Sequence, residues 1–152
     1  MKPVNELKMT IDSKSINEGF SRVAIGAFCA CLDPTVEELT DIRTAVSEAV
    51  TNAIVHGYKE QLGKIYITVS ILENSSIRIK IKDKGVGIAD IKKAMEALYT
   101  TAGDERAGLG FAVMESFTDK IRVYSKEGKG TTVTLLKKIH GKNGASEKEM
   151  RL

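Results

Sequence analysis

The chain has 152 residues, 42% of them hydrophobic, enough for one domain with a single buried core and no need of disulfides or a structural metal. Its 23 basic and 20 acidic residues leave a formal charge of +3. This charge is spread along the chain with no long basic run before its end, so direct capture of nucleic acid is not expected. No apolar run approaches the ~20 residues of a membrane span, and the start Met1-Lys2-Pro3-Val4-Asn5-Glu6 lacks the apolar core of a signal peptide. A cytoplasmic protein with no membrane partner is expected.

Leu7, Met9 and Ile11 alternate with polar residues and predict a half-buried strand. Ser15 and Glu18 form a capping-box pattern that opens a helix through about Leu32. Cys29 and Cys31, the only cysteines, lie two apart in that apolar helical stretch. Their side chains point to different faces, so they are read as small core residues in a reducing compartment and not as a metal or disulfide pair. After Asp33-Pro34, Thr35 and Glu38 repeat the capping pattern, and Ile42, Val46, Ala49 and Ala53 continue a long helix to about His56-Gly57.

Ile65, Ile67, Val69 and Ile71, a turn at Asn74-Ser75, and Ile77, Ile79 and Ile81 predict a β-hairpin. A loop containing Gly85 and Gly87 leads to a short helix near Ile88–Leu98, a polar connector Thr100–Gly108, and another helix from about Leu109 to Phe117. Two last strands, Ile121–Ser125 and Thr131–Leu136, are joined by Lys126-Glu127-Gly128-Lys129-Gly130. Residues 1–140 are read as one domain and 141–152 as a polar, frayed tail. The pattern predicts a two-layer α/β (α+β) sandwich, with a mainly antiparallel mixed sheet and the helices on one face.

Four short segments can carry chemistry. Glu48, Asn52 and His56 recur every four residues on the long helix and border its apolar stripe. A carboxylate and an amide one turn apart can hold Mg²⁺, which prefers oxygen ligands, and the carboxylate can also accept a proton. The same stripe can equally be the solvated border of an amphipathic helix. Asp83-Lys84-Gly85-Val86-Gly87 follows a strand, where an ionised Asp83 can accept from the exocyclic amine of adenine while the glycines let a ring approach the backbone. An ordinary Asp/Gly turn is the alternative.

Gly108-Leu109-Gly110 opens a helix and offers unpaired N–H groups to phosphate, with Arg106 two residues before it. Thr131 shares parity with Val133 and Leu135 and so faces the helix layer. The chain has no G-x-x-x-x-G-K-[ST] and no G-x-G-x-x-G, which sets aside the P-loop and Rossmann nucleotide folds.

Taken in order, Ser47-Glu48-Ala49-Val50-Thr51-Asn52-Ala53, Asp83-x-Gly85-x-Gly87, Gly108-x-Gly110 and Gly130-Thr131-Thr132 resemble the ordered boxes of the GHKL (Bergerat-fold) ATPase/kinase superfamily. From about Glu6 to Lys138 the chain resembles its sporulation anti-sigma-F family, notably in Phe20-Ser21-Arg22-Val23, Leu32-Asp33-Pro34-Thr35 and Ala53-Ile54-Val55-His56-Gly57-Tyr58.

The resemblance implies a homodimeric serine kinase that binds ATP/ADP with Mg²⁺, inhibits a sporulation sigma factor and phosphorylates an anti-anti-sigma protein. On it Glu48 is the general base, Asn52 the Mg²⁺ ligand, and Asp83, Gly85, Gly87 and Thr131 belong to the nucleotide pocket. Gly108, Leu109 and Gly110 hold phosphates, Arg106 lies near the γ-phosphate, and Arg22 belongs to the partner surface. The alternatives are a histidine kinase domain, which this chain leaves no room to complete, a general-stress anti-sigma kinase, and a nucleotide-gated inhibitor without kinase turnover.

Overall fold

The computed structural model describes residues 1–91 and 105–143, the first five of the second stretch by backbone alone. Leu7, Met9 and Ile11 form the inward row of strand β1 (Pro3–Asp12), which precedes helix α1 (Ile16–Cys29) and a 3-10 turn to Leu32. Helix α2 runs from Val36 to Asn52 and passes into a π turn, Ala53–Gly57. Strands β2 (Lys64–Leu72) and β3 (Ser76–Asp83) form the expected hairpin, with Ser75 at positive φ in the turn. Helix α3 (Glu105–Ser116), β4 (Lys120–Lys126) and β5 (Gly130–Lys138) complete the described chain. Most of the helix expected near Ile88–Leu98, the connector up to residue 104, and the tail from residue 144 lie outside the described residues.

The five strands are ordered β1-β2-β3-β5-β4. Every hydrogen-bonded pair of them is antiparallel, so the sheet expected to be mainly antiparallel has no parallel pair among its described strands. The reason is topological: β4 does run parallel to β3, but β5 returns between them. Because side chains alternate across a strand, β2 and β3 send Ile65, Ile67, Val69, Ile77, Ile79 and Ile81 to one face. There they pack with Ile42, Val46, Ala49 and Val50 of α2, Ile25 of α1, and Phe111 and Met114 of α3 in one buried cluster. Lys80 and Lys82, of the opposite parity, stay exposed. Cys29 belongs to that core, and burial, with a smaller contribution from Cys31, pushes its thiol up to about 12. No helix among the described residues is long and apolar enough to cross a membrane.

The two sequence caps behave differently. Thr35 and Glu38 form the reciprocal box: Glu38 N–H donates to Thr35 Oγ1 at 3.1 Å and Thr35 N–H to Glu38 Oε1 at 2.9 Å. Ser15 makes no side-chain cap, because its backbone is already helical. Its expected partner, Glu18, instead accepts from Ser47 of α2 and pairs with Arg22 at 3.4 Å.

Glu38 does more than cap. It accepts from the N–H groups of His140 at 2.8 Å and Gly141 at 3.1 Å, while Lys142 N–H donates to the Asp33 carbonyl. The packed chain therefore runs past Gly141, where a frayed tail was expected to begin. Burial pushes the Glu38 carboxyl upward, but the N–H groups of Thr35, His140 and Gly141 outweigh it and hold the group below its ordinary value.

A carboxylate held low stabilises the fold above its unfolded value and loses that contribution as pH falls through the folded value. Glu38→Gln, which cannot satisfy all three donors, should lose about 1 kcal/mol at neutral pH in urea unfolding. The difference from the parent should narrow as pH drops below the ordinary 4.5.

Candidate active site

The site assembles where α2 ends. Its last turn carries Glu48 and Asn52 one turn apart, on the border of the buried stripe made by Ala45, Ala49 and Val50. Facing them is Gly110 of α3. A Cβ built there would lie 3.2 Å from Asn52 Oδ1 and 3.4 Å from Glu48 Oε2. The two oxygens thus converge on one point, which a side chain at residue 110 would fill.

His56 does not continue that stripe in simple register. The π turn from Ala53 to Gly57, closed by Tyr58 N–H to the Ala53 carbonyl at 2.9 Å, carries wider turns than an α-helix and rotates the following residues. Its effect is to aim Gly57 at the end of β3. A Cβ at Gly57 would sit 2.8 Å from the Asp83 carboxylate, and one at Gly85 would sit 1.9 Å from the Gly57 carbonyl oxygen. That carbonyl accepts Val86 N–H at 2.9 Å. Only two facing glycines allow so close an approach.

Asp83 is 5% exposed. Its Oδ1 accepts Gly85 N–H at 2.9 Å, and the Thr131 backbone, opposite it across β3 and β5, also donates to it. Burial pushes the carboxyl above its ordinary value, and the two N–H donors only partly offset this. Gly87, at φ +72°, turns the loop against the β4–β5 turn, where Gly128 N–H donates to the Val86 carbonyl at 2.7 Å. The Thr131 side chain is buried and bonded to Ser125 Oγ at 2.7 Å, and Ser125 also accepts Ile88 N–H at 2.7 Å. Tyr58 braces the other flank, its hydroxyl accepting Lys84 N–H at 2.8 Å.

Two groupings of the sequence candidates therefore form: Asp83, Gly85, Gly87 and Thr131 around the end of β3, and Glu48, Asn52 and Gly110 between α2 and α3. The π turn links them. Arg106, Gly108 and Leu109 lie on α3. The described helix already includes Glu105-Arg106-Ala107, good helix formers that lie before the expected start at Leu109. In that arrangement the N–H groups from Leu109 onward face carbonyls four residues back. Arg22 stands apart, exposed on α1, joined to α2 through Glu18 and Ser47.

Gly57, Tyr58 and Ser125 were not among the sequence candidates. Gly57 carried a signal in being the glycine that ends the helix, but Ser125 becomes visible only once β4 is paired with β5 and lies opposite Thr131.

The chemistry of the donors fits a nucleotide and Mg²⁺. A buried acceptor beside glycine-lined backbone suits a flat nitrogenous ring. Two hard oxygens converging on one point suit an ion that takes one or two protein ligands and completes its shell with water and phosphate. Among the described residues no group of three or more His, Cys, Asp or Glu side chains gathers as an all-protein metal cage would.

Residues 19–137 match the family model of the histidine kinase-like ATPase domain. An anti-sigma F factor of Clostridium perfringens (strain SM101 / Type A) is 49% identical over 137 residues, covering 90% of this chain and 98% of its own. One from Clostridium novyi (strain NT) is 52% identical over 137 residues, with 89% and 95% covered. Among solved structures, the RsbU and RsbW domains of Rv1364c from Mycobacterium tuberculosis superpose with a TM-score of 0.65 at 22% identity, over 90% of this chain and 32% of that one. The histidine kinase domain of a blue-light activated histidine kinase from Erythrobacter litoralis EL346 gives 0.56 at 18% identity, over 86% and 65%. At these identities the two structures share the fold.

A buried carboxyl whose value is raised costs stability as pH climbs from the ordinary 3.8 through the folded value. Asp83→Asn should remove that fall, so its urea midpoint at neutral pH should equal or exceed the parent's. Gly85→Ala, whose methyl meets backbone, should lose at least about 2 kcal/mol in the same measurement.

Proposed function

The chain belongs to the histidine kinase-like ATPase domain family, among the anti-sigma F factors, and we propose that it is an ATP-dependent serine kinase that also restrains a sporulation sigma factor. On this reading it works in the cytoplasm as a homodimer and phosphorylates a serine of an anti-anti-sigma protein. The observation that carries the kinase reading is the convergence of Glu48 Oε2 and Asn52 Oδ1 beside Gly110. It offers one oxygen for a metal and one for a proton at the same point.

In the proposed site Asp83 accepts from the exocyclic amine of adenine, and Gly85 and Gly87 let the ring approach the loop. Thr131 with Ser125 closes the floor of the pocket. The start of α3, with Gly108, Leu109 and Gly110, lies on the phosphate side, and Arg106 is assigned to the γ-phosphate. Asn52 would hold Mg²⁺, which when bound neutralises charge on the phosphates.

Transfer then asks the protein for position and a base. The substrate serine Oγ forms a bond to the γ-phosphorus, the bond from that phosphorus to the β–γ bridging oxygen breaks, and ADP leaves. The serine proton passes to Glu48.

Arg22 is assigned to the partner surface. It lies on α1 beside Phe20 and Val23, apolar side chains 58% and 57% exposed. The anti-sigma F relatives support a sporulation-type partner over a general-stress one.

The test is phosphotransfer from γ-labelled ATP with Mg²⁺ to a candidate anti-anti-sigma protein. Label should appear on serine. Glu48→Gln should cut the rate ~10²–10⁴-fold while ATP still binds, whereas Asn52→Ala should lose transfer through lost metal-dependent binding. Unchanged transfer in Glu48→Gln would remove its role as base. ATP binding and sigma capture without any transfer would leave a nucleotide-gated inhibitor. Asp83→Asn should weaken ATP by about tenfold or more, as expected for losing a charge-assisted hydrogen bond.

A further inference from the structure

The sheet face turned away from the helices and the proposed ATP site is strongly basic. On β3, Arg78, Lys80 and Lys82 point outward at alternate positions, and register places Thr132 and Thr134 of β5 and Arg122 and Tyr124 of β4 beside them. The two acids of the same parity, Glu6 and Asp12 on β1, are already engaged by Lys8 at 3.6 Å and by Lys64. Among the described residues no carboxylate lies within ion-pair distance of Lys80, Lys82 or Arg122. A shallow depression there is lined by Lys80, Arg122, Val123, Tyr124, Thr132 and Thr134. Tyr124 is 72% exposed. Glu6 also feels the charge of Arg78, but Lys80, Lys82 and Arg122 repel one another with no carboxylate among the described residues in ion-pair contact with them.

We propose that this outer face docks an acidic, extended protein segment. Same-face cations along β3 are about 6.8 Å apart, the repeat at which an extended segment presents every second side chain. A segment with acids at alternate positions thus matches Arg78, Lys80 and Lys82 in both charge and spacing, and Arg122 and the threonine hydroxyls supply further donors.

Two other occupants fit less well. Single-stranded nucleic acid seeks exposed aromatic faces on which to stack; Tyr66 has its ring covered by the Lys84 ammonium, 4.9 Å from the centroid, which leaves Tyr124 alone. The chain's own end, with Glu147, Lys148, Glu149 and Arg151, has no net charge to offer. The face lies across the sheet from Glu48 and Asp83, so the inference stands independently of the kinase reading.

The experiment is amide chemical-shift mapping on the ¹⁵N-labelled full chain, titrated with an uncharged-capped ten-residue peptide of alternating Glu and Ser, and separately with oligothymidylate. The peptide should shift β3, β4 and β5 amides around Lys80, Arg122 and Thr134, and more weakly as salt rises. Lys80→Glu with Arg122→Glu should weaken it by at least about tenfold. Lys14→Glu with Lys59→Glu, both exposed elsewhere, should leave it unchanged, as should ATP binding in both variants. Shifts away from this face, equal loss in the two double variants, or tighter binding of oligothymidylate to the same amides would each overturn the proposal.

Discussion

Gly57 and Gly85 meet backbone to backbone, and most of what surrounds the site is arranged to allow it. The Gly57 carbonyl takes the Val86 N–H at 2.9 Å, and a Cβ on Gly57 would meet the Asp83 carboxylate. Because Gly57 ends the helix that carries Glu48 and Asn52, while Asp83 ends a central strand, this one contact fixes the distance between the two halves of the site. A methyl group on either glycine meets atoms that cannot move cheaply, since they belong to backbone or to a buried carboxylate. The π turn serves the same contact by rotating the chain just before it.

Burying Asp83 is unfavourable taken alone. The group is nearly inaccessible and pushed above its ordinary value by desolvation, with two N–H donors in partial compensation. Buried polar groups of this kind are held in place by the structure around them and often mark a site. Glu38, by contrast, is a carboxylate whose N–H donors outweigh burial, and it works structurally, tying the residues after β5 to the start of α2. Two acids of similar chemistry thus act in opposite senses, according to whether donors or desolvation dominate.

The sheet divides the molecule. Its inner face is aliphatic and supports α1, α2 and α3; its outer face carries basic and hydroxyl side chains with few acids of its own. The alternation that builds the core therefore also builds the charged surface, and substitutions on the outer face leave the packing of the inner one largely untouched.

Much of this was legible along the chain. Alternation in Leu7–Ile11, Ile65–Ile71 and Ile77–Ile81 marks strands whose inward rows are the ones found, and the Thr35–Glu38 box starts α2 where it was placed, because these signals depend on neighbours within a few residues. The ordered motifs around Glu48, Asp83, Gly108 and Thr131 likewise pointed to one family. Local signals misled at Ser15, whose helical backbone leaves no cap to form, and ahead of Gly108, where Glu105, Arg106 and Ala107 are already helical. What no local rule could supply were the return of β5 between β3 and β4, the partnership of Ser125 with Thr131, the reach of Glu38 to His140 and Gly141, and the meeting of Gly57 with Gly85. Each joins residues far apart in the chain, and such contacts are selected by the packing of the whole core, whereas the sequence by itself determines only period, caps and turns.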